Sequence, residues 1–198
     1  MAEGAEWLAR SEPRFAHAVD LCGIPPLRRR PDGFGQLLKA IISQQVSTHA
    51  ARAIWERMET AGLTEPSPIL AADDATLRAP GLSRQKMRYA RALADAKIEY
   101  QHLRQAPSSA VVNTLVEVPG IGRWTAEIYA MFSLGRADVF APGDLALQES
   151  ARRLFELPER PREAALRRMA EKWSPWRSVA AGLLWVYYRI ETNREGVA

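Results

Sequence analysis

Cysteine is almost absent from this chain, with Cys22 standing alone among 198 residues. Disulfide frameworks, zinc ribbons and iron–sulfur clusters each need several thiolates, so all are excluded within the chain. Histidine is nearly as scarce. His17, His49 and His102 lie far apart without ligand-like spacing, which argues against a transition-metal site. No apolar run approaches the roughly 18 residues of a membrane span, and the longest stretches carry charges within a turn. The segment Met1 to Arg10 is acidic and mixed, lacking the basic-then-apolar order of a signal peptide. These absences lead to the expectation of a soluble cytoplasmic protein with no membrane contact. Alternating apolar and polar runs longer than a few residues are missing too, which leaves no signal for a sheet.

What is present reads as helix nearly throughout, so the expected class is all-α. Phe34, Leu37, Leu38, Ile41 and Ile42 form one apolar stripe at helical spacing. Ser47 or Thr48 can cap a helix through Ile54, Trp55 and Met58 that stops at Gly62, and short helices are expected after Pro68 and Asp73. Ser83 starts a longer one, and Pro107-Ser108-Ser109 opens another through Val112 and Leu115. Further helices are predicted from Arg123 to about Leu134, from Asp144 to Phe155, over Glu163–Trp173 and over Trp176–Ile190. In the last, Val179, Leu183, Val186 and Ile190 make the expected buried face. Apolar residues at 47% can fill a substantial core. The net charge of +4, with Arg far outnumbering Lys, is compatible with a polyanionic partner without requiring one.

The most informative stretch is Leu115-Val116-Glu117-Val118-Pro119-Gly120-Ile121-Gly122-Arg123-Trp124-Thr125-Ala126. It reads as helix, tight glycine hairpin, helix. Two glycines allow backbone conformations closed to other residues and remove side chains that would block close approach. Amides of Gly120 to Gly122 then face outward at a helix N-terminus, where the dipole also favours an anion. Such a turn can hold a phosphate without reading a base, although an ordinary Gly turn between packed helices has the same look.

With its surroundings, this stretch resembles the helix-hairpin-helix DNA glycosylase superfamily, and within it the 3-methyladenine DNA glycosylase II group. The resemblance spans roughly Phe34 to Tyr188. Its strongest segments are Ile42-Ser43-Gln44-Gln45-Val46-Ser47, Gly81-Leu82-Ser83-Arg84-Gln85-Lys86, the hairpin, Asp138-Val139-Phe140-Ala141-Pro142-Gly143-Asp144 and Trp173-Ser174-Pro175-Trp176-Arg177-Ser178. It implies two helical lobes with a DNA cleft between them, in a compact form without an added sheet domain. The expected division is a central lobe near 34–115 and a second near 116–198 that takes in the N-terminal segment, the hairpin and Asp144.

The resemblance also assigns roles. Asp144 matches the carboxylate about twenty residues beyond the hairpin, and Asp before Leu145-Ala146-Leu147 is equally a good N-cap. An ionised carboxylate near C1′ can stabilise an oxocarbenium-like transition state and direct water. Asp138 matches a recurrent position for which a structural role is expected. Relatives with lyase activity carry Lys two residues after Gly122; Trp124 stands there, which implies a monofunctional enzyme. Trp124 and Trp176 are expected as pocket walls whose indole faces attract a cationic base. Ile128 replaces an aromatic residue found in near relatives, so substrate preference can differ. Gln45 is the implied wedge into the base stack. Gly120, Gly122, Arg123, Thr125, Arg84 and Lys86 are the implied DNA contacts, while Arg28-Arg29-Arg30 reads as a solvated loop and Arg152-Arg153 and Arg167-Arg168 as exposed helix positions. A monovalent cation can sit at the Gly120–Gly122 carbonyls, and no other cofactor is implied. The implied partner is duplex DNA with damaged bases, met as a monomer. Two alternatives stay open: a non-catalytic damage sensor built on the same hairpin, and a glycosylase for another base such as mismatched adenine or uracil.

Overall fold

The computed structural model describes residues 1–192 and is helical without strands among them. It divides into two compact units, one of residues 30–129 and the other joining residues 1–29 to those from 130 onward.

The unit of residues 30–129 is built on α3 (Phe34–Ser43), α4 (Thr48–Thr60), α5 (Pro66–Ala71), α6 (Asp74–Arg78), α7 (Arg84–Asp95), α8 (Tyr100–Gln105) and α9 (Ser108–Val116). It also holds most of α10 (Arg123–Phe132). Local sequence sets several boundaries. The Ser47, Asp73 and Ser83 side chains accept from the amides of Ala50, Thr76 and Lys86, capping α4, α6 and α7. The predicted stripe Leu37, Leu38, Ile41 and Ile42 is buried, and α3 packs on α7 through Met87, Ala90, Leu93 and Ala94.

The other unit contains α1 (Ala2–Ser11) and α2 (Pro13–Cys22), for which the sequence offered no reading, then α11 (Leu145–Leu154), α12 (Glu163–Ala170), a short 3-10 turn at Glu171–Trp173 and α13 (Arg177–Thr192). Helix α13 is the hub, packing on α1, α2 and α11. Trp173 fills the interior, its ring centroid 5.2 Å from Phe15, 5.3 Å from Phe140 and 5.7 Å from Phe155. The buried face of α13 differs from the expected one. Val179 and Leu183 are buried as expected, but Val186 is half-buried and Ile190 is 46% exposed, while Ala180, Leu184 and Tyr187 join the buried side. Packing partners on two sides select a broader face than a single four-residue stripe.

The sequence grouped the hairpin with Asp144; the structure puts it in the unit of residues 30–129. The hairpin is bound to that unit by its own contacts. The Gln44 side-chain amide, at the end of α3, donates to the Gly120 carbonyl at 2.8 Å, and a Cβ at Gly120 would meet the Tyr89 ring on α7.

Candidate functional site

The hairpin between α9 and α10 closes through Ile121 N to Val118 O at 3.0 Å. Gly120 lies at φ 96°, in the region that favours glycine, and Tyr89 packs where a side chain would stand. Gly122 differs from the sequence argument. Its φ is not positive and a Cβ there would meet nothing within 4 Å, so it keeps open space before the first turn of α10. The Gly120 carbonyl accepts from Gln44 and the Gly122 carbonyl from the Ala126 amide, so these oxygens, offered by the sequence to a cation, already hold hydrogen bonds.

Around the hairpin the implied DNA contacts separate. Arg123 is half-exposed, its Nε 3.4 Å from the buried Glu127 carboxylate, and Arg84 is exposed at the start of α7. Thr125, on α10, is only 8% exposed. Lys86 is committed elsewhere: its ammonium donates to the Ile42 carbonyl at 2.6 Å, closing the C-terminus of α3, and burial pulls its pKa below the usual lysine value.

Gln45 follows α3 as an exposed residue at φ 56°, the left-handed region that few non-glycine residues occupy. Trp124, expected either in a pocket or in the core, is 38% exposed at the second position of α10. Ile128 and Met131 on the same helix are buried.

In the other unit, Asp144 is buried and caps α11. Its Oδ1 accepts from Ala146 N at 2.9 Å, Leu147 N at 3.0 Å and Trp185 Nε1 at 3.3 Å. Two amide donors at a helix N-terminus and an indole N–H all suit an anion. Asp138 has the structural role expected of it. It receives the Arg177 fork at 2.6 and 2.8 Å and the Ser174 hydroxyl at 2.9 Å, tying its loop to the start of α13. Burial pushes the Asp138 carboxyl up, but the Arg177 and Ser174 hydrogen bonds outweigh it and hold the group below its usual range.

A cavity of about 410 Å³ lies in this unit, lined by Trp176, Trp185, Met131 and Phe132, with Arg28, Arg136 and Arg189 also on its walls. Its volume is within the range of small-ligand sites. Trp176 lines this cavity and also packs against Gly4, where a Cβ would collide with its ring. Trp185 was missed. It both lines the cavity and donates to Asp144, yet in Leu183-Leu184-Trp185-Val186 it reads as one more core residue. Two arginine readings also change. Arg29 donates to the Ser133 carbonyl at 3.1 Å and covers Gly135, and Arg152 and Arg153 both clamp Glu149.

The chain is similar to known proteins in sequence and in fold. The pattern of the HhH-GPD superfamily base excision DNA repair proteins matches residues 38–175. The DNA-3-methyladenine glycosylase 1 of Schizosaccharomyces pombe is 30% identical over 165 residues, spanning 79% of this chain and 72% of that protein. Among solved structures, a DNA-3-methyladenine glycosidase from Bacillus halodurans superposes with TM-score 0.83 at 30% identity, over 94% of this chain and 88% of that one. The S. pombe 3-methyladenine DNA glycosylase in complex with abasic DNA superposes with TM-score 0.78 at 27% identity, over 94% and 95%.

Proposed function

Because the chain belongs to the HhH-GPD superfamily of base excision DNA repair proteins, we propose that it is a monofunctional DNA glycosylase that excises alkylated bases from duplex DNA. The observation that carries this reading is the buried Asp144 carboxylate, held by three donors, one of which is a wall of the cavity.

Cleavage of the C1′–N bond builds positive charge on the sugar, and a fixed carboxylate stabilises that charge without reorganising. The same oxygens can orient water for attack at C1′. Flipping a base costs a few kcal/mol of stacking, and Gln45, exposed on its left-handed turn, fills the gap left behind. Hairpin amides, with Arg84 and Arg123, hold phosphates and set position without sequence preference. Trp124 occupies the place of the lyase amine and offers an indole face instead, so the product is an intact abasic site. The protein acts as a monomer on damaged duplex DNA, in the cytoplasm.

The test is excision from duplexes carrying one defined lesion each, with and without alkali, for the parent and Asp144→Asn. Strand breaks that appear only after alkali, and disappear in the variant while duplex binding persists, are the expected result. Breaks without alkali would overturn the monofunctional assignment, and near-normal excision by Asp144→Asn would remove Asp144 from catalysis.

A further inference from the structure

The cavity beside Asp144 has an unusual balance of charge for a site taking cationic bases. Arg28, Arg136 and Arg189 line it, and no Asp, Glu or His does. Arg28 and Arg189 are exposed at its edge, and among the described residues neither enters an ion pair. The acid that adjoins the cavity is Asp144, reached through the Trp185 N–H. Three guanidinium-bearing residues therefore line the cavity, and the one carboxylate that adjoins it does so through Trp185. A base carrying a full positive charge, such as an N7-methylated guanine, gains from the indole faces but is repelled by this wall.

We propose that the arginine-lined cavity selects uncharged lesion bases bearing ring-nitrogen or carbonyl acceptors, the 6-oxopurine hypoxanthine and the cyclic adduct ethenoadenine, over cationic N-methylpurines. The chemistry of departure favours the same class. When the C1′–N bond breaks, its electron pair leaves with the base and water supplies the new C1′–O bond; the water proton ends on the released base when that base was neutral and passes to solvent when it was cationic. A cationic base departs neutral and needs no help. A neutral base departs with developing negative charge, which guanidinium donors stabilise through charge-assisted hydrogen bonds. Arg28, Arg136 and Arg189 are thus assigned as leaving-group donors. This inference rests on the glycosylase reading given above and adds the substrate class.

Single-turnover excision of hypoxanthine, ethenoadenine and 7-methylguanine, each placed in the same duplex, tests it. Each rate is divided by the spontaneous loss of that base. The parent should accelerate the neutral lesions by at least roughly tenfold more than 7-methylguanine, the scale of one charge-assisted hydrogen bond. Arg28→Gln, Arg189→Gln and the pair together change exposed side chains and should keep the parent's melting temperature. They should lower the acceleration of the neutral lesions and leave or raise that of 7-methylguanine, and Arg136→Gln should act in the same sense. Greater acceleration of 7-methylguanine by the parent, or an equal loss for all three bases in the variants, overturns the inference and leaves the glycosylase reading standing. Excision of none of the three with duplex binding intact removes both.

Discussion

Asp144 and Trp185 meet through one hydrogen bond, and that bond joins the proposed catalytic carboxylate to the cavity wall. Trp185→Phe keeps a ring in place but removes the donor. A hydrogen bond to a charged group is worth about 1.5–3 kcal/mol, so single-turnover excision should fall roughly 10- to 100-fold with little change in duplex affinity. An unchanged rate would mean that the N–H does not tune Asp144. At the hairpin, Gly120→Ala forces a Cβ against the Tyr89 ring at a positive φ. It should cost about 1–3 kcal/mol in chemical unfolding and weaken binding to undamaged duplex. The two residues differ in legibility. Asp144 stood out as a cap because it precedes an apolar run, and as a carboxylate of interest because the resemblance placed one about twenty residues beyond the hairpin. Trp185 was hidden because its neighbours are all apolar, and only the packing of α13 against α11 shows that its N–H has a partner.

Helix α3 is held at both ends. At its start the Tyr129 hydroxyl accepts from Gly33 N at 2.8 Å; at its end Lys86 donates to Ile42 O, and Gln44 donates to Gly120 O. The last of these couples the turn carrying Gln45 to the hairpin, both within the unit of residues 30–129. Gln44→Ala should therefore reduce excision of stacked, paired lesions more than of lesions opposite a gap, where no wedge is needed. An equal loss on both substrates would confine Gln44 to stability.

Helix α11 makes a separate prediction. Hydrogen bonds from Arg152 lead, with Arg153 adding to them, in holding the Glu149 carboxyl down at about 2 despite partial burial. A depressed acid stabilises the fold above its unfolded pKa, and that contribution is lost as pH falls through the folded value. The gap in Tm between the parent and Glu149→Gln should be full at neutral pH. It should shrink as pH drops below the usual glutamate range toward about 2. A gap independent of pH would show that the two arginines do not act through its charge.

At the scale of the whole molecule, the net charge is +4, and the exposed Arg84 and Arg123 lie on the unit that carries the hairpin. Binding to undamaged duplex should weaken linearly with the logarithm of salt, and Arg84→Ala or Arg123→Ala should each lower that slope by roughly 1. Lys86→Ala should leave the slope nearly unchanged, because its ammonium is already used at the end of α3. A loss of slope for Lys86 equal to that for Arg84 would return it to the duplex contacts.

Helical periodicity, serine and aspartate caps and the hairpin glycines are local properties. The all-α class, most helix starts after residue 34 and the place of Asp144 therefore followed from the amino-acid order alone. The course of residues 1–29, the membership of the hairpin, the partners of Lys86, Gln44 and Arg29, and the arginine-lined cavity depend on contacts between residues far apart in the chain. No spacing rule carries that information, because a long polar side chain reaches whichever carbonyl or carboxylate the packed helices bring within hydrogen-bond distance. Tertiary structure alone decided which cations stay available to a ligand.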